Sequence, residues 1–530
     1  MEIHYREGRR APKGAPEKEM DKKLKIGFNT FDGRVMADDA EYAQLIQECG
    51  GIDWVWCHVD ARRDLDTAGN IEYAGQVANK LKADGHEFVA NFEFQNFAVE
   101  HVDTDGHDYA NCPDGTHRLN LPDGFIRALA KAGNLIGVAY DEFEHTIINR
   151  NLSVFIGTKL KKDLPVFRNL KTKDPVEQGR ALGRQVREFV DGFKANGVEK
   201  FAGEHVFPVL FHLFAKNGVI PNFKSQKESS SNVQFAVAAG AALQYGKELW
   251  NCVDMWNMMT FPGHSVKEMY HNLVFAWLMG VNRVYVEASN AFFDKKGDKK
   301  ELNELGKTYC SYVREYRGRD RQYDIQDFKP EVGIVRLDTG YWGQGHSLFV
   351  WRNMLYGNPM LKGTKQSKEW VRAMYLITHR EISPNSLTQS RFELRSLCRH
   401  RSFVSMNNAA VFDDEVKKET LEPLKLCFLC GEHISDETLE AVRALAKENG
   451  LCVVSTRRYA PNEVLHAAGA GFADLPYGEG RWIITNSFRS RRLEKRIAPF
   501  LGEKGEMRFV LGDEEIRLKI DKDGESFVRC

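Results

Sequence analysis

Short apolar runs alternate with helical patterns from residue 24 to residue 289. This alternation is typical of βα units and predicts a parallel sheet. The predicted strands are KIGFNTF (25–31), GIDWVWCHVD (51–60), HEFVANFEF (86–94), LIGVAYDEF (135–143), EKFAGEHVF (199–207), GVIPNFK (218–224), ELWNCVDMW (248–256) and NRVYVEAS (282–289). Helices are predicted over 38–49, 69–84, 123–133, 174–196, 232–246 and 265–279. Eight such units predict a (β/α)8 TIM barrel over 24–326, with an open doubly wound sheet as the alternative topology.

The sequence changes character after the barrel. PEVGIVRLDTG (330–340) starts a second α/β series, and SDETLEAVRALAKENG (435–450) has the cap, apolar face and Asn-Gly end of a helix. Further strands are predicted at HRSFVSMN (400–407), LKLCFLCG (424–431) and NGLCVVST (449–456). We therefore predict a flavodoxin-like α/β domain over 327–475. Alternation in RWIITNSF, EMRFVLG and EEIRLKI predicts a small β-rich domain over 476–530, and residues 1–23 are predicted to be a polar tail.

Acidic and polar side chains stand where the predicted barrel strands end, which is where TIM barrels place their active sites. The candidate catalytic groups are four carboxylates: Glu142, Glu204, Asp254 and Glu287. The candidate substrate-binding residues are His58, Asp60, Asn91, Glu93, Asp141, Glu144, His145, His205 and Lys224, with Trp56 and Trp256. Each carboxylate alone is explained as a rim charge or a hydrogen-bond anchor. Four together indicate chemistry, because burying carboxylates costs free energy unless they are paired.

Carboxylates that converge on one mouth push their pKa values apart, so that one keeps its proton while another stays ionised. A glycosidase uses this arrangement for its acid and its nucleophile or base. Glu142 is the candidate acid, with a pKa raised by burial and by Asp141 and Glu144. Glu287 or Asp254 is the candidate nucleophile. Nearby aromatic rings suit the apolar faces of a sugar, and the sequence has no standard glycine-rich phosphate loop.

The order of domains resembles glycoside hydrolases of clan A, especially the family 42 β-galactosidase-like architecture. There a (β/α)8 barrel precedes a flavodoxin-like trimerisation domain and a small β domain, and PEVGIVRLDTGYWGQG (330–345) is similar to the start of that second domain. The resemblance implies cleavage of a β-linked sugar by an exo-glycosidase, and a homotrimer. It also implies Asn-Glu on strand 4 and a nucleophilic Glu on strand 7. This sequence instead has Asp141 before Glu142, and Asp254 on strand 7.

The second predicted domain is also similar in fold to class I glutamine amidotransferase domains. Cys430 follows a predicted strand there, in the segment CFLCGEH. That segment lacks the Gly-x-Cys-x-Gly turn of a nucleophile elbow. We therefore expect this domain to be non-catalytic.

Composition narrows the function classes. The 530 residues carry 74 Lys and Arg against 74 Asp and Glu, which argues against a nucleic-acid binder. No apolar run reaches the ~18–20 residues of a membrane span, and the N-terminal segment has no apolar core of a secretory signal. We therefore expect a cytoplasmic protein with no nucleic-acid or membrane partner. Most of the ten cysteines stand in apolar runs or beside aromatic residues, which predicts reduced core thiols.

Two other functions are alternatives to a glycosidase. Asp, Glu and His near the ends of strands 2, 4 and 5 would suit a metal-dependent hydrolase or isomerase. No compact ligand motif accompanies them, so we expect no metal and no other cofactor. The second alternative is a non-catalytic glycan-binding protein that kept the cleft. Lys224 and Lys227 near the mouth weakly indicate an acidic sugar.

Overall fold

The computed structural model of the chain describes a defined set of residues. They are 22–30, 40–59, 61–62, 64–92, 99–100, 112–116, 121–148, 159–160, 167–225, 230–255, 265–287, 289–297, 299–341, 354–382 and 401–530. Three predicted substrate-binding residues, Asp60, Glu93 and Trp256, lie outside this set. Lys227 lies outside it too.

Eight parallel strands close into a barrel. They are β1 (Lys25–Thr30), β2 (Trp54–His58), β3 (Phe88–Asn91), β4 (Leu135–Tyr140), β5 (Lys200–His205), β6 (Ile220–Ser225), β7 (Trp250–Asp254) and β8 (Arg283–Glu287). Each strand pairs with the next, and β8 pairs with β1 in the register Ile26 to Val284. This closure confirms the predicted TIM barrel and rules out the open sheet. The segment GVIPNFK supplies a full barrel strand, so Glu287 lies on the eighth strand.

Helices cover the outside of the barrel. They are α1 (Ala40–Cys49), α2 (Thr67–Ala83), α3 (Asp123–Lys131), α4 (His145–Ile148), α5 (Pro175–Ala195), α6 (Phe211–Lys216), α7 (Ser231–Tyr245), α8 (Val266–Leu278) and α9 (Glu304–Tyr316). The start of α5 illustrates why they form. Asp174 caps the helix by accepting a hydrogen bond from the amide of Val176 at 2.8 Å, and Pro175 follows at the first helical position. A hairpin of β9 (Phe293–Lys296) and β10 (Lys299–Leu302) precedes α9.

Large side chains fill the barrel below its mouth. The ring of Trp54 lies 6.0 Å from the ring of Trp250 and 5.5 Å from that of Tyr285. Gly27 on β1 leaves room for this layer, because a Cβ there would lie 2.7 Å from the Trp54 ring. The interior is a packed core rather than a pore. Among the described residues, the packed interior leaves the mouth as the side of the barrel where a substrate can enter.

Two sheets follow the barrel. Their strands are β11 (Val332–Val335), β12 (Met406–Asn407), β13 (Ala409–Phe412), β14 (Leu426–Leu429), β15 (Cys452–Ser455), β16 (Ala473–Tyr477), β17 (Gly480–Ile484), β18 (Glu506–Leu511), β19 (Glu514–Ile520) and β20 (Phe527–Arg529). The larger sheet has the order β13-β11-β14-β15-β17-β16, and the smaller one the order β12-β18-β19-β20. The accompanying helices are α10 (Glu369–Ile377), α11 (Lys418–Leu421), α12 (Asp436–Glu448), α13 (Asn462–Ala467) and α14 (Arg491–Ile497).

The parallel strands of the larger sheet, counted along the chain, lie in the order 2-1-3-4-5, and only the edge strand β16 is antiparallel. This is one of the common orders of doubly wound sheets. It supports the flavodoxin-like assignment. That assignment and the trimer both stay predictions.

Two segments were assigned to the wrong sheet by the sequence analysis. HRSFVSMN contributes only β12, which belongs to the smaller sheet, because the chain turns at Asn408 with φ 46° and enters β13 of the larger sheet. The Asn408 side chain fixes this turn by donating to the carbonyl of Lys329 at 2.7 Å and accepting from the amide of Val510 at 3.1 Å. RWIITNSF, predicted in the small domain, supplies β17 of the larger sheet. The domain boundaries themselves stay predictions.

The larger sheet packs directly against the barrel. Gly240 in α7 lies so close to β13 that a Cβ would be 1.7 Å from the carbonyl oxygen of Val411. His212 in α6 donates from Nε2 to the same oxygen at 2.8 Å. The Asp338 carboxylate, just beyond β11, accepts from the amide of His212 at 3.0 Å. The sheet is therefore fixed to the side of the barrel that carries α6 and α7. No helix among the described residues is long and apolar enough to cross a membrane.

Candidate active site

A buried lysine stands at the centre of the barrel mouth. Lys224, near the end of β6, is 1% exposed. Carboxylate oxygens of five residues surround its Nζ, at 2.5 Å (Glu204), 2.7 Å (Glu287), 2.9 Å (Asp141), 3.6 Å (Asp254) and 4.0 Å (Glu142). The structure thus gathers the four predicted catalytic carboxylates and one predicted substrate-binding residue around a single ammonium.

The period of two along the strands explains this convergence. Residues two apart on a strand face the same side of the sheet. Asn222 and Lys224 therefore both face the interior on β6, and Tyr285 and Glu287 do so on β8. Asp254 is the direct partner of Glu287 across β7 and β8. On β6 and β8 a charged side chain therefore stands above a polar or aromatic one, and on β7 Asp254 stands above Cys252.

Lys224 is a stable cation. Burial alone would lower the pKa of Lys224, but the carboxylates of Asp141, Glu287 and Asp254 raise it well above its usual value. The ammonium has three N–H donors, and carboxylate oxygens lie within 2.9 Å of it on three sides. The side chain is thus neither a nucleophilic amine nor a spare cation for an acidic sugar. The weak indication of an acidic sugar loses its support at Lys224.

The cluster carries more negative than positive charge. One ammonium faces five carboxylates in a region where water is largely excluded. The Lys224 ammonium offsets part of the mutual repulsion among these carboxylates.

Two polar residues of the site did not enter the candidate set from the sequence. The hydroxyl of Tyr285 donates a hydrogen bond to Glu204 Oε2 and accepts one from Asn222 Nδ2 at 3.2 Å. Asn222 lies two positions before Lys224, and Tyr285 lies two positions before Glu287. Applying the period of two backwards from Lys224 and Glu287 would have found them.

Glu142 differs from the other carboxylates of the cluster. Its backbone has φ 49°, in the left-handed region that a residue with a side chain adopts only at a cost. Its side chain is 15% exposed, more than those of the other four, and its Oε2 lies 3.4 Å from His145 Nε2. The turn directly after β4 therefore directs this carboxyl toward the open side of the mouth.

Glu144 and His205 lie behind the mouth. Glu144 Oε1 accepts from the amides of Val206 and Phe207 at 2.8 and 2.9 Å, and burial raises the pKa of Glu144 well above its usual value. Nδ1 of His205 donates to the carbonyl of Val209 at 2.9 Å, and burial lowers the pKa of His205 to about 3. Both side chains are fully buried. They hold the segment after β5 in place and are not positioned to touch a substrate.

Three predicted substrate-binding residues lie on the β2–β3 side of the barrel. His58 on β2 is paired with Asn91 on β3. The Nδ1 atom of His58 lies 3.4 Å from the Nδ2 atom of Asn91. Trp56 is 1% exposed and stacks on Tyr285 with ring centroids 4.1 Å apart. Trp56 therefore belongs to the packed interior and connects to the site through Tyr285.

Glu204, Cys252 and Glu287 have ligand atoms within 4.8 Å of one another, a spacing compatible with a metal ion. The Lys224 ammonium lies within 2.7 Å of both carboxylates and so stands where the cation would bind. Burial also raises the pKa of Cys252 well above its usual value, so the thiol keeps its proton. This donor set does not fit a divalent ion while Lys224 is charged.

Comparison with known proteins gives distant similarities. No protein-family model matches the sequence, and no curated protein matches it. The chain is similar to GH5_18 from Bifidobacterium longum subsp. longum, at 12% identity over 59% of this chain and 84% of that one, with a TM-score of 0.36. The exo-beta-1,4-mannosidase Op5Man5 from Opitutaceae bacterium strain TAV5 has 10% identity, coverage of 95% and 90%, and a TM-score of 0.36.

A third similar structure has a different activity. The 3-keto-D-glucoside 4-epimerase YcjR from E. coli has 13% identity over 56% of this chain and 100% of that one, with a TM-score of 0.29. Scores this low carry no argument about function. The resemblance to family 42 is not confirmed by these comparisons.

Proposed function

We propose that this protein is a glycoside hydrolase that cleaves a β-linked sugar, with Glu142 as the general acid. The observation that carries the proposal is the convergence of five carboxylates on one ammonium at the mouth of the barrel. Hydrolysis of a glycosidic bond needs one protonated and one ionised carboxyl group on either side of the bond. A cluster of this kind supplies both.

Distance from Lys224 separates the carboxylates by role. A carboxylate that is bonded to an internal ammonium is less able to attack a sugar or to give up a proton. Glu204, Glu287 and Asp141 lie within 2.9 Å of Nζ, and we assign them to positioning. Glu142 and Asp254 lie farther away, at 4.0 and 3.6 Å.

Glu142 protonates the glycosidic oxygen in this proposal. Its carboxyl is the most exposed of the five and stands on the strained turn after β4. Asp254 at the end of β7 is the nucleophile or base, because Glu287 is bound more closely by Lys224. Asn91 and His58, on the opposite side of the mouth, are the candidate partners of sugar hydroxyls in this proposal. β-Galactosidase specificity was implied by the resemblance to family 42, which the comparisons do not confirm.

The test is hydrolysis of a panel of aryl β-glycosides by the wild type and by Glu142→Gln and Asp254→Asn. We expect one sugar to be cleaved, and each variant to lose at least about 10²–10⁴-fold in kcat. Glu188→Gln is the matched control, because Glu188 is an exposed carboxylate on α5, on the outside of the barrel. It should retain full activity.

Added azide distinguishes the two nucleophile candidates. If Asp254 is the nucleophile, azide restores turnover of Asp254→Asn and gives a glycosyl azide, whereas Glu287→Gln gives none. Rescue of Glu287→Gln alone would transfer the role to Glu287. If neither the wild type nor any variant cleaves any glycoside, while sugars of the panel still bind, the site is a glycan-binding cleft and the hydrolase proposal is wrong.

A further inference from the structure

A pair of cysteines joins two outer helices of the barrel, away from the mouth. Cys49 ends α1, and Cys310 lies in the middle of α9. Their sulfur atoms are 2.8 Å apart, and each residue is 2% exposed. Unbonded carbon atoms rest about 3.5–4.0 Å apart, and sulfur is larger than carbon. Two separate thiols would be pushed apart at this distance, whereas a covalent bond between the sulfurs removes the conflict.

Other contacts on both sides of the pair fix the two helices. The hydroxyl of Tyr309 donates to the carbonyl of Gly27 on β1 at 2.7 Å. One turn farther along α9, the guanidinium of Arg314 donates to the carbonyl of Glu48. Because neighbours of both cysteines are anchored, the approach of the two sulfurs is set by the packing of α1 on α9.

We propose that Cys49 and Cys310 form a disulfide bond that joins α1 to α9. Two S–H bonds break and one S–S bond forms. The two protons and two electrons pass to a low-molecular-weight disulfide such as oxidised glutathione, whose own S–S bond is reduced to two thiols. The hydrogen bond from Cys49, together with the nearby Arg314, lowers the pKa of Cys310 and so favours its thiolate form.

The proposal changes the expectation for two of the ten cysteines. Cys427 and Cys452 fit the prediction of reduced core thiols, since burial raises their pKa values and they lie within strands of the larger sheet. Cys49 and Cys310 do not fit the prediction of reduced thiols, because their sulfur atoms are 2.8 Å apart. A bond between residues 261 positions apart also restricts the unfolded chain strongly. The oxidised protein should therefore melt several degrees above the reduced protein.

The first test is peptide mapping of the wild type without reduction. The protein is treated with oxidised glutathione or with dithiothreitol, denatured in an alkylating reagent and digested. We expect a linked peptide pair containing Cys49 and Cys310, lighter by two hydrogens than the two thiol peptides, only in the oxidised sample. The exposed Cys530 reports on the treatment by carrying glutathione. Recovery of both cysteines fully alkylated, with glutathione on Cys530, would overturn the proposal.

The second test is thermal and does not depend on any enzymatic activity. Cys49→Ser and Cys310→Ser should each abolish the difference in Tm between oxidised and reduced protein. Cys427→Ser is the matched control, because it alters a buried cysteine of the other domain and should keep that difference. If the difference persists in Cys49→Ser, another pair is responsible and the assignment is wrong.

Discussion

The ring of Tyr285 lies flat on the ring of Trp56, with centroids 4.1 Å apart and planes 13° from parallel. Its hydroxyl donates to Glu204, one of the carboxylates nearest to Lys224. A single side chain therefore connects the packed interior of the barrel to the charged cluster at its mouth. The interior fixes where the Glu204 carboxylate stands, and so fixes one wall of the proposed site.

Replacing Tyr285 by Phe keeps the stacked ring and removes the hydroxyl. Glu204 loses a donor and Asn222 loses an acceptor, so we expect a loss of about 1–3 kcal/mol in stability and lower activity. Tyr312→Phe is the control. The Tyr312 hydroxyl donates to the carbonyl of Leu273 at 2.8 Å, between two outer helices. Calorimetry should give a comparable fall in Tm for both variants, with activity lost only in the first. Equal activity in both variants would show that the Tyr285 hydroxyl does not contribute to activity.

Replacing Glu142 by glycine should relieve the backbone strain at this position. A left-handed conformation costs a residue with a Cβ about 1–2 kcal/mol, and glycine adopts it freely. Since both changes remove the carboxyl group, Glu142→Gly should be more stable than Glu142→Ala by about 1 kcal/mol, and both should lose activity on an unsubstituted phenyl glycoside. Urea denaturation of the two variants measures the difference. Equal midpoints would show that the turn after β4 is not strained.

Acid should destabilise the protein through His205. Burial lowers the pKa of His205 to about 3, against about 6.5 in an unfolded chain. Between these values the unfolded state binds the additional proton, so stability falls as the pH falls from about 6.5 toward 3. His205→Asn keeps a donor for Val209 and removes the titration. We expect its Tm to decline less between pH 6.5 and pH 4 than that of the wild type.

The pH profile of His205→Asn needs a control, because the raised pKa of Glu144 changes the stability with pH in the opposite direction from His205. A group with a raised pKa stabilises the fold below its unfolded pKa, and this contribution is lost as the pH rises. Glu144 is present in both proteins, so the difference between the two pH profiles is the informative quantity. His466→Asn, at an exposed position, should reproduce the wild-type profile. An unchanged profile for His205→Asn would contradict the assignment.

Removing the central ammonium should make stability depend on pH. In Lys224→Met the five carboxylates face one another without a cation, so their ionisation is disfavoured in the folded protein. The folded variant then binds more protons than the unfolded chain, and its stability falls as the pH rises from 5 to 8. Breaking a buried pair of this kind costs about 3–5 kcal/mol. A Tm that does not change over this pH range would contradict the role of Lys224. Lys216→Met, which removes an exposed ion pair, is the control.

The sequence predicts the barrel well because hydrophobic alternation reports directly on its strands. All eight were predicted, and so were the strand-end carboxylates. It does not reveal that Lys224 is their common partner, because distances across a barrel depend on how the sheet closes. The strand β13 was missed, since Ala409 and Ala410 have little strand preference of their own. Packing of α7 on that strand at Gly240 stabilises a strand conformation that the local sequence favours only weakly.

The measurement that tests the central claim most directly is the dependence of Glu142→Ala on the leaving group. A dinitrophenyl glycoside needs no protonation to depart, whereas an unsubstituted phenyl glycoside does. If Glu142 is the general acid, the variant keeps a kcat/KM near that of the wild type on the dinitrophenyl glycoside and loses several orders of magnitude in kcat/KM on the phenyl glycoside. Equal losses on both substrates would show that Glu142 does not donate the proton, and would contradict the proposed mechanism.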